Sequence, residues 1–351
     1  MKESVLGLPP FINGTFSTDY DLELIRYLYS VPAPVIISIT FCFTIVYIVL
    51  SNYVTDRRSA TTVQKNGIVI SNTLLVLCQY PVFIYFFATD DLLGPATIGW
   101  CNTYRIMGYV LPAIFHTTSL WQIIFYGIQR FQCLQHPFKA LTWYAKINRF
   151  FKLTILIFVC SFLVHCYKLF DFVNQPANPC DFQYRDAFNS RKYEEFYVWF
   201  CAIVVHLVPC VLMSMLTIIL VYVNMKMYFQ QKKVLINNPE HLQRNWKYTL
   251  QEGQSIGLLI LTLCVEWPLT IYIFSNSTVQ DSLLITPLNS FPICIHFAMI
   301  VSYSLYLPMF LIMNHDMRST FYLIISDIRK TLCPTRRQDE NELENLNPNQ
   351  F

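Results

Sequence analysis

Charge is what this chain has least of. Only 13% of its 351 residues are Asp, Glu, Lys or Arg, against about 25% in an ordinary soluble domain, while 54% are hydrophobic. That balance excludes a soluble globular fold and indicates a polytopic helical membrane protein. Glycine is also scarce, at 9, and no P-loop, zinc or nucleophile motif occurs, so nothing supports catalysis and no cofactor is expected. The net charge of +3 is too small to suggest nucleic acid. Internal repeats and inverted hydropathy symmetry of the transporter kind are lacking, which counts against a transporter or channel. No secretory signal is expected within Met1 to Tyr20, which has no apolar core behind a basic start, so the first span is expected to direct insertion itself.

What is present is a succession of apolar runs. Windows of about 20 apolar residues give seven spans, at 31–53, 64–88, 101–130, 147–170, 196–228, 249–275 and 284–313. Pro81, Pro112, Pro209, Pro268 and Pro308 fall inside five of them, where neighbouring helices and polar side chains can satisfy the freed carbonyls. With the N-terminus outside, the inner side holds 18 Lys and Arg and the outer side 7, so the positive-inside rule selects that orientation. The sequons at Asn13 and Asn276 then both lie outside and are candidate glycosylation sites. The outer segments also hold 12 acidic residues, an excess that attracts a cationic ligand.

The expected organisation is an extracellular segment over 1–30, a seven-span bundle over 31–313, and a cytoplasmic portion over 314–351. Residues 314–330 space their apolar side chains as a short amphipathic helix lying on the inner face. Cys333 follows as a candidate palmitoylation site. The remaining tail is polar, acidic and expected to be disordered. Most of the twelve cysteines sit in spans as small apolar residues. Cys101 and Cys180 fall outside the lipid in this topology and form the candidate disulfide pair.

The stretch from Leu111 to Trp143 carries the most chemistry. Its first half is apolar yet holds Pro112, His116, Thr117, Thr118, Ser119 and Gln122, and it ends on Gln129-Arg130-Phe131 before a Cys/His/Pro turn. An Arg at a span's inner end can be a simple anchor whose long side chain reaches water. Glu266 is the other informative residue. An ionisable group deep in a span is a functional hypothesis by default, and Glu266 lies two residues before Pro268. His116 lies fourteen residues before Arg130, about four helical turns, so His116 and Glu266 are expected to meet at one depth. The competing reading is a structural hydrogen bond between helices. His206 and His296 also sit on faces that can point inward, although either alone reads as an interior hydrogen-bonded histidine. Trp121 and Trp267 read as packing residues.

These motifs resemble those of a known family. An outer Cys heading the third of seven spans and an Arg at its foot resemble a rhodopsin-like G-protein-coupled receptor. LPAIFHTTSLW followed by IQRFQCLQHPFKALTW resembles the third span and second inner loop of the myosuppressin and sex-peptide receptor group. The 29-residue spacing from Cys101 to Arg130 matches that group. Val265-Glu266-Trp267-Pro268 is similar to its Val-Glu-x-Pro, His206-Leu-Val-Pro-Cys210 to its HLxPC, and the segment from His165 to Asp171 to its stretch after the fourth span. The chain reads as a divergent, nematode-type member.

The resemblance implies an all-α seven-helix bundle in the plasma membrane, lipid-embedded, with an amidated neuropeptide of the Arg-Phe type as ligand. It also implies a heterotrimeric G protein, mainly of the inhibitory class, as partner. Gln129, Arg130 and Phe131 would be the coupling motif. His116, Glu266, His206, His296 and Asp171 are the ligand-binding candidates, Asp171 standing among outer acids that otherwise read as solvated loop charges. Three departures stand out. The sodium-site Asp of the second span is Asn72 here, with Ser119 as the other remnant of that site. The first-span Asn falls near Ile45, and the seventh-span motif becomes Tyr306-Leu-Pro308-Met-Phe310. A chemosensory receptor for small molecules is the alternative within the same architecture, distinguished by a purely intramembrane pocket.

Overall fold

The computed structural model describes residues 19–54, 60–88, 98–135, 147–169, 172–174, 182–184, 191–235, 240–278, 290–313, 319–323 and 325–326. Helices dominate them. They are α1 (Asp19–Ser30), α2 (Pro32–Val54), α3 (Ala60–Phe83), α4 (Ile98–Arg105), α5 (Leu111–Gln135) and α6 (Ile147–His165). They continue with α7 (Arg191–Cys201), α8 (Val208–Leu235), α9 (Glu240–Thr278) and α10 (Ser290–Met313). Apart from a turn at Val31, all seven expected spans are helical over their described residues. The third is α4 and α5 joined through a π-helical turn, and the fifth is α7 and α8 joined in the same way.

Five of these segments are long and apolar enough to cross a membrane: 26–51, 61–86, 196–230, 253–275 and 293–310. The third span is diluted by the polar side chains of α5 between His116 and Gln122, whereas α6 is apolar from Leu153 to Val164 apart from Thr154 and Ser161. A row of large apolar side chains nonetheless faces outward. Ile39, Phe41 and Phe43 on α2, Phe151, Leu156 and Leu163 on α6, and Ile218 and Tyr222 on α8 are all exposed. A helix apolar on every face is at home where its outside is lipid. The chain is a multi-pass membrane protein.

Proline explains where the helices deviate. Pro112 and Pro209 lack the N–H that residues 108 and 205 would accept in an α-helix. In each case the turn just before the proline is π-helical, at Ile106–Val110 and at Ala202–Leu207. The third π segment, Ile84–Ala88, begins three residues beyond Pro81. Pro268 and Pro308 are carried inside α9 and α10. Pro32 opens α2, at the first helical position, where its missing N–H has no partner to lose.

The core is built around α5, whose residues are buried over most of its length. Tyr126, Leu120, Ile123 and Leu259 belong to the central apolar cluster. Short polar side chains join helices across the bundle: Thr40 to Ser304 at 2.6 Å and Thr44 to Thr73 at 2.7 Å, the kind of contact that substitutes for hydrophobic drive within lipid. Gly67 lets α3 approach α5 closely, since a Cβ there would stand 3.1 Å from Gln122 Oε1.

Two features depart from the sequence reading. The segment before the first span is helical from Asp19, and Tyr29 on it donates to the Ile293 carbonyl of α10 at 3.1 Å. An antiparallel hairpin pairs β1 (Phe172–Asn174) with β2 (Phe182–Tyr184), Val173 facing Gln183; aromatic and β-branched residues favour that pairing locally. Of the expected amphipathic segment, residues 319–323 and 325–326 are helical, with Tyr322, Leu323 and Ile325 exposed. Asn13, Asp171, Cys180 and Cys333 lie outside the described residues.

Candidate functional site

Three spans converge on one carboxylate. Glu266 on α9 is 1% exposed, and the imidazoles that face it, His116 of α5 and His206 of the π turn before α8, are 0% exposed. His116 Nε2 lies 3.5 Å from Glu266 Oε1, and His206 Nδ1 lies 3.5 Å from Glu266 Oε2. The two imidazole rings are 5.6 Å apart, centre to centre. A fourth span contributes Tyr303 of α10, whose hydroxyl is 2.6 Å from His116 Nδ1 and donates toward Glu266 Oε1 at 3.5 Å.

Local structure accounts for each position. The π turn widens the fifth span by one residue, and His206 is its penultimate residue, turned inward with Val205 and Ala202. Such turns recur at functional sites because they re-aim a side chain without ending the helix. Around Glu266, α9 is pinned to α8. Thr270 Oγ1 donates to the Glu266 carbonyl at 2.7 Å and meets Cys210 Sγ at 3.3 Å. Trp267 Nε1 donates to Ser214 Oγ at 3.1 Å, so this tryptophan is a polar tie as well as packing.

The cluster is underpaired for its burial. His116 Nε2, both ring nitrogens of His206 and Glu266 Oε2 make no hydrogen bond. Each such group leaves about 1–3 kcal/mol of desolvation uncompensated. Attraction to a protonated imidazole offsets part of this for the carboxylate, and the same atoms are available to an incoming cationic group.

The other sequence-selected residues lie elsewhere. His296 joins a separate contact set: Nδ1 is 2.9 Å from the Tyr29 hydroxyl and Nε2 is 3.2 Å from Gln79 Nε2. Asn72 and Ser119 are directly hydrogen-bonded, the Ser119 hydroxyl donating to Asn72 Oδ1, and both are buried. Arg130 stacks over the Tyr126 ring at 5.3 Å, and Ser255 of α9 donates to the Tyr126 hydroxyl at 3.1 Å. Gln129 is buried beside it, and Phe131 packs at the edge of the core. Cys101 is disulfide-bonded, while the other described cysteines are thiols. Asn276 falls within the last turn of α9.

Two connections were not singled out in the sequence. His165 bridges three spans, with Nε2 2.8 Å from Thr117 Oγ1 and Nδ1 2.8 Å from the Tyr197 hydroxyl. Lys65 of α3 is buried and donates to Gln254 Oε1 of α9 at 2.6 Å, while Gln254 Nε2 reaches the Phe310 carbonyl at 3.4 Å. A buried lysine within a predicted span was the available signal for the second.

No family model matches the chain. A curated relative does: the chain is 24% identical over 327 residues to the sex peptide receptor of Drosophila melanogaster, a match covering 86% of this chain and 73% of that protein.

Proposed function

We infer, from the membership of this chain in the rhodopsin-like G-protein-coupled receptors as a divergent relative of the invertebrate neuropeptide receptors, that its agonist is an amidated peptide with an Arg-Phe-type end. It is a peptide receptor, not an enzyme, and a G protein is its partner. Its place is the plasma membrane with the N-terminus outside, and its G protein is of the inhibitory class. The single observation that carries the ligand assignment is the buried Glu266 between His116 and His206, two residues before Pro268. A guanidinium is the cation that best pairs with a carboxylate, through two parallel hydrogen bonds, and Glu266 Oε2 makes none in this arrangement.

Binding would be read out by α9. A ligand guanidinium that takes Glu266 releases the carboxylate from His116 on α5 and His206 beside α8. The ties toward the other end of α9 then resist its outward swing: Lys65 to Gln254, Ser255 to Tyr126, and Thr262 to Tyr306 at 2.7 Å. Tyr126 also carries Arg130 on its face, so movement of α9 alters the seat of the coupling arginine. A ligand shifts such a two-state element only by its difference in affinity for the two states, and Glu266 supplies that difference.

The test is a cyclic-AMP and calcium screen of the expressed receptor against amidated and free-acid neuropeptides. Suppression of cyclic AMP by an amidated Arg-Phe peptide, lost in its free acid and in an Arg→Ala peptide, is the expected result. Activation only by small molecules, with no dependence on a peptide Arg, would reject the peptide assignment.

A further inference from the structure

We propose that His116, His206 and Glu266 form a transition-metal site, suited to Zn2+, that clamps the third, fifth and sixth spans together. One ligand atom from each residue can be chosen so that all three lie within 4.8 Å of one another. Ligands held about 2.0–2.2 Å from a tetrahedral zinc stand about 3.3 Å apart. His116 Nε2 to Glu266 Oε1 and His206 Nδ1 to Glu266 Oε2, each 3.5 Å, are close to that value, so each imidazole faces its own oxygen of the one carboxylate. Small imidazole rotations bring the third pair in.

The donor set selects the ion. Two imidazole nitrogens and one carboxylate suit zinc and its transition-metal neighbours, whereas calcium and magnesium require a shell of oxygens. Three protein ligands leave a fourth position for water. Charge also favours the ion, because a divalent cation neutralises a carboxylate that is otherwise buried without full hydrogen bonding.

The surroundings carry the second half of the argument. A metal-binding histidine characteristically gives its other ring nitrogen to a hydrogen bond that fixes tautomer and orientation. His116 fits this: Nδ1 lies 2.6 Å from the Tyr303 hydroxyl, so with Nδ1–H donating to that oxygen, Nε2 is the nitrogen that a metal ion would take. His116 Nε2, His206 Nδ1 and Glu266 Oε2 make no hydrogen bond, and neither does His206 Nε2, so the outer hydrogen bond is present on His116 alone. The three side chains are buried, so a metal ion, like a ligand guanidinium, reaches them only as the helices open, and exchange is slow.

Occupancy would hold α9 against α5 and α8, so Zn2+ would act as a negative modulator of agonist. That consequence rests on the receptor reading of α9, but metal binding itself does not depend on the identity of the agonist.

The experiment uses purified, tag-free, full-length receptor in detergent, stripped of metal and titrated with Co2+ and then Zn2+ without any peptide. Expected is one cobalt per chain with the intense visible bands of a tetrahedral N/O site, displaced by zinc, and a rise in thermal midpoint with Zn2+ but not Mg2+. Glu266→Gln and His206→Ala should abolish the stoichiometric bands. Should either fail to fold, Tyr303→Phe keeps all three ligands and should weaken metal affinity by about 10–100-fold. Absence of tetrahedral bands in the unaltered receptor, a cobalt–thiolate charge-transfer band, or unchanged binding in the folded variants would each overturn the site. A metal site with no peptide agonist, or a peptide agonist with no metal site, separates the two readings.

Discussion

The Tyr303 hydroxyl lies 2.6 Å from His116 Nδ1, which ties the seventh span to the third at the depth of Glu266. The tie fixes the imidazole so that its other nitrogen confronts the carboxylate at 3.5 Å. His116 is therefore one member of a four-span network, and variants of that network should be strongly coupled.

Glu266→Gln keeps the shape of the side chain and removes its charge. It should lower agonist potency by at least about tenfold, equivalent to 1.4 kcal/mol, while reaching the cell surface. His116→Ala leaves the carboxylate without one partner, and loss of one member of a buried pair costs about 3–5 kcal/mol when both are charged. The double variant should cost less than the sum of the singles, by about 0.5–3 kcal/mol. Signalling assays at matched surface levels measure this, and strictly additive effects would remove the coupling.

Sodium should not modulate this receptor. Asn72 offers a neutral carbonyl where a carboxylate would anchor the cation, and that carbonyl already accepts the Ser119 hydroxyl. Agonist affinity measured in sodium and in an organic-cation buffer of equal ionic strength should agree. Asn72→Asp is the variant expected to gain a sodium effect, and a clear effect in the unaltered receptor would contradict the argument.

The buried Lys65 should restrain the resting state. Its 2.6 Å bond to Gln254 joins α3 to α9, and an outward swing of α9 must break it. Gln254→Leu should raise agonist-free signalling several-fold, because a charged hydrogen bond contributes about 1.5–3 kcal/mol. Basal cyclic-AMP suppression per surface receptor is the measurement; a basal level equal to that of the unaltered receptor would show that the bond does not hold α9.

Cys101 is disulfide-bonded, and we assign Cys180 as its partner on topology. Cys180→Ala should lower surface expression and agonist response, since the bridge closes a long loop and such a crosslink contributes about 2–4 kcal/mol. Non-reducing peptide mapping of the purified receptor gives the pairing directly.

Much of this architecture was legible in the chain because it depends on local composition. Scarcity of charge, seven apolar runs and the lysine and arginine bias follow from side chains meeting lipid or water one at a time. Pro112 and Pro209 marked where two helices deviate, although Pro268 and Pro308 sit inside continuous helices, and the depth of His116 and of Glu266 could be counted along single helices. What counting cannot supply is azimuth across helices. His206 and His296 looked alike in sequence, each an inward-facing histidine. The π turn before Pro209 rotates one toward Glu266, while packing of α1 against α10 commits the other to Tyr29 and Gln79. A lysine inside a span was visible in the chain, but neither Lys65 nor Tyr303 showed which residue it meets, because the partners lie 189 and 187 residues away. Composition and period thus determined a membrane bundle with a carboxylate at its centre. Only tertiary packing, which sets the rotation of each helix about its own axis, decided which side chains that carboxylate meets.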